Sequence, residues 1–304
     1  MWQSSAPENP PPAGQQVELA LPHIRLCGRL WGAKDKPLLL ALHGWLDNAN
    51  SFAPLAGHLS DFQLLAIDWP GHGLSDHRPG AYPLHWLDYL YDLDQLLAHL
   101  GQTQAPVAIL GHSLGGIVAS AYTAGFGAKV NKLVLIEALC PLFEDAAKAG
   151  QRLAHSFNQH GRWLGNRGKP ATSYESLEVA VRARAGLTGL DESWCRLLVE
   201  RNMRRTEQGF CWRSDPRLKL DSPLRLTFEQ VDALMQQVAT PTLLLTGSEG
   251  FHQLRSALPL ARGWYRHLTE AVLPGDHHLH MGNAAGVAAE IRAFLAEKSV
   301  SAGR

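Results

Sequence analysis

Short apolar runs alternate with longer amphipathic stretches over most of this chain, the pattern of buried parallel strands separated by helices. The runs are Pro37–Leu42, Phe62–Ile67, Val107–Leu110, Lys132–Ile136 and Thr242–Leu245, a further strand candidate is Leu268–Leu273, and helical stretches fall at 50–59, 84–100, 115–126 and 284–297. Ahead of them, Val17 to Trp31 alternates apolar and polar positions across Leu21-Pro22-His23, as the arms of a β-hairpin do. Strand and helix in turn predict an α/β fold, a mostly parallel sheet with helices on both faces. The alternation stops over 141–227, where amphipathic segments at 144–160, 174–185 and 192–205 follow one another with no strand pattern among them. This predicts an all-helical insertion capping the carboxyl ends of the strands, where open α/β sheets carry their ligand sites. The expected organisation is a mobile proline-rich lead over 1–16, a core made of 17–140 and 228–304, and a helical cap over 141–227.

Composition narrows the function. The 304 residues are 45% apolar and 18% charged, ordinary for a globular enzyme, and the formal net charge is zero. The chain as a whole therefore has no electrostatic footprint for nucleic acid or an anionic membrane surface. No run reaches the ~18 consecutive apolar residues of a membrane span, and the N-terminus has neither the basic start nor the apolar stretch of a signal peptide. A cytoplasmic protein with a small-molecule substrate is the expectation. Cys27, Cys140, Cys195 and Cys211 lack metal-site or redox spacing and read as buried free thiols.

Chemistry enters at Gly111-His112-Ser113-Leu114-Gly115-Gly116, which joins the Val107–Leu110 run to a helical stretch. Glycines two residues either side of Ser113 let the backbone turn sharply, so that the hydroxyl projects above the sheet. A serine is nearly unreactive at neutral pH without a base and an acid that orients the base. Asp276-His277-His278-Leu279-His280 follows the last strand pattern, and any of its three histidines can be that base. The Trp45 N–H, just after His43-Gly44, and the Leu114 N–H, at the start of the helix, are the candidate donors to an oxyanion. A metal site made from Asp276, His277, His278 and His280 is the weaker reading, because such tight local spacing rarely closes a coordination sphere. No cofactor is expected.

Taken in order, His43-Gly44-Trp45, Asp68-Trp69-Pro70-Gly71-His72-Gly73-Leu74-Ser75, Gly111 to Gly116 and the His277 segment resemble the α/β-hydrolase superfamily over about 17–297. Within it, Ile136-Glu137-Ala138, Trp212-Arg213-Ser214-Asp215-Pro216-Arg217-Leu218 and His277-His278-Leu279-His280 resemble the serine hydrolase-like proteins that carry a helical cap. The resemblance implies Ser113 as nucleophile and His277 as base, with His278 as the alternative. It usually offers G-x-x-D after the Thr242–Leu245 strand, but Gly247-Ser248-Glu249-Gly250 has glycine in the aspartate's place. The other location that the family uses for the acid is the end of the strand after the elbow helix, where Glu137 stands. A carboxylate ending a buried strand needs a partner, so Glu137 is preferred to Glu249, with an oxygen expected about 2.6–3.2 Å from His277 Nδ1. The implied activity is ester hydrolysis through an acyl-enzyme, with short to medium acyl chains. Thioester, lactone or carbon–carbon hydrolysis, or a catalytically idle ligand receptor, are the alternatives. An arginine surplus in 141–227, Arg184 included, reads as a solvated face or, more sharply, as a preference for anionic acyl groups. Trp163, Trp194, Phe210 and Trp212 read mostly as the cap's own core.

Overall fold

The structure, a computed structural model, describes residues 11–169, 172–236 and 238–297. In chain order the first half holds β1 (Gln15–Ala20), β2 (Arg25–Trp31), β3 (Leu38–Leu42), α1 (Ala53–Ala56), β4 (Gln63–Ile67), α2 (Asp88–Gly101), β5 (Ala108–His112), α3 (Leu114–Phe126) and β6 (Leu133–Ile136). An inserted region follows, with α4 (Ala149–Gly165), β7 (Ser173–Tyr174), α5 (Leu177–Thr188), α6 (Glu192–Asn202), β8 (Met203–Thr206) and β9 (Gly209–Trp212). The chain closes with α7 (Phe228–Met235), β10 (Thr242–Gly247), α8 (His252–Trp264), β11 (Leu268–Leu273), α9 (Leu279–Gly282) and α10 (Ala284–Ala296).

Eight strands form one sheet in the order β1-β2-β4-β3-β5-β6-β10-β11. β1 and β2 pair antiparallel, β2 also runs antiparallel to β4, and the remaining neighbours are parallel, as the apolar runs predict. The central strands are apolar on both faces because both are covered. Every residue of β3 and β4 is buried, and burying a leucine contributes about 1.5–3 kcal/mol. Leu40, Leu42, Ile67 and Ile109 pack with α2 and α3 on one face, whereas Leu39, Leu110, Val134 and Leu245 pack with α10 on the other. Lys132 fastens that last helix, its Nζ donating to the carbonyls of Phe294 at 2.8 Å and Glu297 at 2.7 Å.

Two expectations are corrected. The lead is fixed before residue 17: Pro12 accepts from Trp31 Nε1 at 2.8 Å, Gly14 accepts from Arg29 Nη1 at 2.7 Å, and Gln15 already pairs with Leu30. Residues 1–10 of that lead lie outside the described residues. The inserted region is not all-helical, because β7, β9 and β8 form a three-stranded antiparallel sheet. Its strands are two to four residues long, too short to display a period of two. The exposed Arg204 and Arg205 blur what pattern there is, so 192–205 reads as one helix where α6 stops at Asn202.

Candidate active site

The carboxyl ends of β3, β5, β10 and β11 meet under the inserted region, around a cavity of about 680 Å³. Ser113 lies there at the turn from β5 into α3, with φ +49° and ψ −116°. A non-glycine residue at positive φ is strained and persists only where its surroundings fix it. Here the glycines do so. A Cβ at Gly115 would lie 2.0 Å from Leu42 O, and one at Gly116 2.4 Å from the Ala138 Cβ. Side chains at these positions would push α3 off the sheet and lower the serine.

Glu137 shares this backbone strain, with φ +49° at the end of β6. Its carboxylate, 1% exposed, accepts from the N–H groups of Gly247 at 2.7 Å and Phe251 at 3.0 Å. His277 Nδ1 lies 3.4 Å from Glu137 Oε2, longer than expected from the sequence. The carboxylate already holds two backbone donors, and His277 is its third partner. Such bonds are often long in a free enzyme and tighten once substrate is bound. Phe251 packs against the His277 ring, tilted at 37°, with 4.0 Å between centroids.

Gly250 explains the missing aspartate. A Cβ at Gly250 would lie 2.1 Å from Glu137 Oε1 and 2.6 Å from Oε2. The carboxylate that reaches across from β6 thus fills the space that a side chain after β10 would take. Glu249 is exposed and its N–H donates to Gly275 O at 2.9 Å.

His278 has a different carboxylate. Its Nε2 is 3.3 Å from Asp47 Oδ2, and the rings of His277 and His278 meet edge to face at 5.3 Å. Asp47 is buried and also bonds Arg184 of α5. Burial alone would raise its pKa, but His278, Arg184 and His112 hold it well below the usual carboxylate range. Asp47 therefore has a permanent guanidinium partner, whereas Glu137 meets only N–H groups and the imidazole of His277 among its described contacts. The third histidine, His280, is fully buried beside His112 and does not line the cavity.

Trp45 lies on the loop after β3 and Leu114 is the first residue of α3. Neither backbone N–H has a protein acceptor among the described residues. Gly44 brings the loop close, since a Cβ there would lie 2.9 Å from His112 Nδ1. The loop continues through Leu46 at φ +61°, whose N–H donates to His72 Nε2 at 3.2 Å. Leu46 O accepts from Arg184 Nη1 at 3.0 Å and Asn202 Nδ2 at 3.2 Å, both from the inserted region. The Trp45 indole is half exposed, and its Nε1 donates to Leu218 O at 2.8 Å.

A family model described as the alpha/beta hydrolase fold matches residues 37–284. The chain belongs to the α/β-hydrolase family. It is 28% identical over 298 residues to a serine hydrolase-like protein of Danio rerio, covering 94% of this chain and 90% of that one. It is 29% identical over 296 residues to a probable serine hydrolase of Drosophila melanogaster, covering 93% and 88%. Among solved structures, the hypothetical protein PA1622 from Pseudomonas aeruginosa PAO1 is similar at 34% identity and a TM-score of 0.83, covering 93% of this chain and 99% of that one. The chain is thus a serine hydrolase-like α/β hydrolase, as its motifs imply.

In this α/β hydrolase the D-x-P-G-x-G-x-S motif serves the framework. The Asp68 carboxylate accepts from Ala49 N and Leu74 N, both at 2.8 Å, and pairs with Arg201 of α6 at 2.7 Å. Gly73 is the approach point, since a Cβ there would lie 2.3 Å from the Asp68 carboxyl. Asp47, His112, Gly250 and Phe251 gained no site role from sequence reasoning, and Arg184 entered it only as one of the surplus arginines of the inserted region. The absent aspartate at 250 was the signal for one of them. The others come together only through contacts distant in sequence. Among the described residues, no cluster of three or more histidines, cysteines or carboxylates is arranged to hold a metal ion. Of the aromatics of the inserted region, Trp194 is buried in its core, and Phe210 and Trp212 pack against it. Trp212 also lines the cavity, while Trp163 contacts His160 and Arg167 away from that core.

Proposed function

We propose that the protein is a serine carboxylic-ester hydrolase that acts through an acyl-enzyme on short to medium acyl chains. The observation that carries this reading is a strained serine and a histidine with its own buried carboxylate meeting at one cavity, with Trp45 on its lining and the uncommitted Leu114 N–H on the residue next to the serine. In the first half-reaction Ser113 Oγ bonds to the ester carbonyl carbon as its proton passes to His277. Glu137 stabilises the imidazolium, with no competing cation among its described contacts, and so His277 rather than His278 is the base. The carbonyl oxygen takes up negative charge between the Trp45 and Leu114 N–H groups. Collapse of the intermediate breaks the ester C–O bond, and the alcohol leaves with the proton from His277. Water then attacks the acyl-enzyme with His277 as base, releasing the carboxylic acid and restoring Ser113.

The chemistry closes on side chains and backbone alone, and the reading assigns no metal or cofactor. In the same reading residues 141–227 form a cap that bounds the acyl site, supported by Tyr174, Arg184, Leu187 and Trp212 along the cavity. The four free, buried cysteines support a reducing, cytoplasmic compartment. The test is labelling by a fluorophosphonate together with hydrolysis of p-nitrophenyl esters, thioesters and lactones. Wild type should label and turn over esters best, and Ser113→Ala should lose both while keeping its fold. Ester turnover by Ser113→Ala within about tenfold of wild type would end the reading.

A further inference from the structure

We propose that the enzyme selects esters carrying a second, free carboxylate, and that Lys219 at the cavity recognises it; the proposal rests on the ester-hydrolase reading above. It starts from the balance of charge around the cavity. Asp47 is the carboxylate among the lining residues, and Arg184 neutralises it. Glu137 is buried behind His277. Lys219 also lines the cavity, and among the described residues its ammonium has no ion-pair or hydrogen-bond partner. The carboxylates nearest to it in sequence are engaged elsewhere, Asp215 with Arg217 at 2.7 Å and Asp221 with His155 at 3.2 Å. A cation is thus left over beside a reaction centre whose other charges are matched.

The backbone that carries this lysine is firmly held, although its side chain is exposed. Pro216–Lys219 is a single helical turn capped by Asp215, whose Oδ1 accepts from Arg217 N at 2.9 Å. Arg217 is 4% exposed and donates to the carbonyls of Arg78 at 2.6 Å, Gly80 at 3.3 Å and Tyr82 at 3.2 Å. Leu218 O receives the Trp45 indole, so the turn is bonded to the loop that carries an oxyanion donor. Lys219 is one residue from that bond. A carboxylate held by its ammonium is therefore tied in position to the reacting carbonyl. Trp45, Trp212 and Tyr174 line the cavity and offer apolar surface to the methylene groups in between.

Charge on a larger scale favours the same substrates. Residues 141–227 hold fifteen lysines and arginines against ten aspartates and glutamates, in a chain with equal totals of 28. The region above the cavity is thus positive and the remainder of the chain correspondingly negative. Such a field draws anions toward the cavity and weakens with added salt.

The test compares p-nitrophenyl monoesters of succinate and glutarate with the neutral butyrate and valerate esters. The acetyl ester of 4-hydroxybenzoate, with its charge on the alcohol side, is a second arm. Wild type should prefer one anionic arm over its neutral counterpart by at least about tenfold in kcat/KM, less so as salt rises. Lys219→Ala should lower that ratio about tenfold and Lys219→Glu should invert it. Which arm responds identifies the side of the ester that carries the charge. Calorimetric binding of glutarate against valerate to Ser113→Ala, with and without Lys219→Ala, reads recognition without turnover. No anionic preference in wild type, or a ratio that Lys219→Ala leaves unchanged, overturns the proposal. If no ester is turned over but glutarate binding depends on Lys219, the ester reading fails and the carboxylate site stands.

Discussion

Ser113 and Glu137 both hold positive φ at the ends of adjacent strands, and the Glu137 carboxylate is held there by the N–H groups of Gly247 and Phe251. For Glu137 that position depends on Gly250. Glu137→Gln keeps the shape but loses the charge facing His277, and should lower kcat by about 10⁴ with little change in KM. Gly250→Ala should follow it part of the way, because a methyl group 2.1 Å from Oε1 must displace the carboxylate. Glu249→Gln should stay within about tenfold of wild type. Steady-state kinetics on one ester orders all three, and a large loss in Glu249→Gln with none in Glu137→Gln would move the acid to the later strand. At this scale the sequence displayed the serine and the histidine segment, because local spacing encodes a turn. It favoured His277 but left His278 as the alternative, because only folding shows that each histidine faces a different carboxylate.

Strands and helices of the core were legible because burial on both faces leaves unbroken apolar runs, as in Leu38–Leu42. The ends were less so. The helix expected at 50–59 is a turn of 3₁₀ helix followed by α1 at 53–56, with Pro54 near its start. The inserted sheet was invisible, and with it the part that α5 and α6 play in shaping the β3 loop. Arg184 holds Leu46 O and Asp47 together, against the strain of Leu46 at φ +61°. A planar fork can grip both acceptors, and a lysine ammonium can only approach one of them well. Arg184→Ala should therefore lower kcat by about tenfold to a hundredfold with a smaller change in KM, as the proposed oxyanion donor at Trp45 loses its position. Arg184→Lys should recover part of that loss. Affinity for a tetrahedral boronate inhibitor should fall in parallel with kcat. A pure loss of thermal stability, with kcat intact, would confine Arg184 to packing.

Over the whole molecule, a group of uncharged buried histidines makes stability depend on pH. Burial lowers His43 from the ordinary 6.5 to about 4 and His72 to about 3, and it holds His112 and His280 well below that value. Below pH 6.5 the unfolded chain binds protons at these positions that the folded chain refuses. Their contribution is therefore complete above that pH and declines as pH falls, by about 1.4 kcal/mol per pH unit for each histidine. For His43 the decline ends near pH 4. Urea unfolding should show a clearly lower midpoint at about pH 5.5 than at about pH 7.5, and equal midpoints would contradict the assignment of neutral rings. The sequence could reveal the number of histidines but not their burial, which depends on strands brought together from distant parts of the chain.

The buried Asp68–Arg201 pair has a consequence for exchanging parts between relatives. Loops above a conserved sheet invite domain transplantation, in which one enzyme's covering segment is grafted onto another's base to transfer substrate preference. Here the base presents a carboxylate with no exposure to water, and its cationic partner arrives on the covering segment. A graft lacking an arginine at that place would strand the charge, at a cost of about 3–5 kcal/mol, a large share of a domain's stability. Donor segments must therefore be chosen for this joint before they are chosen for their pockets.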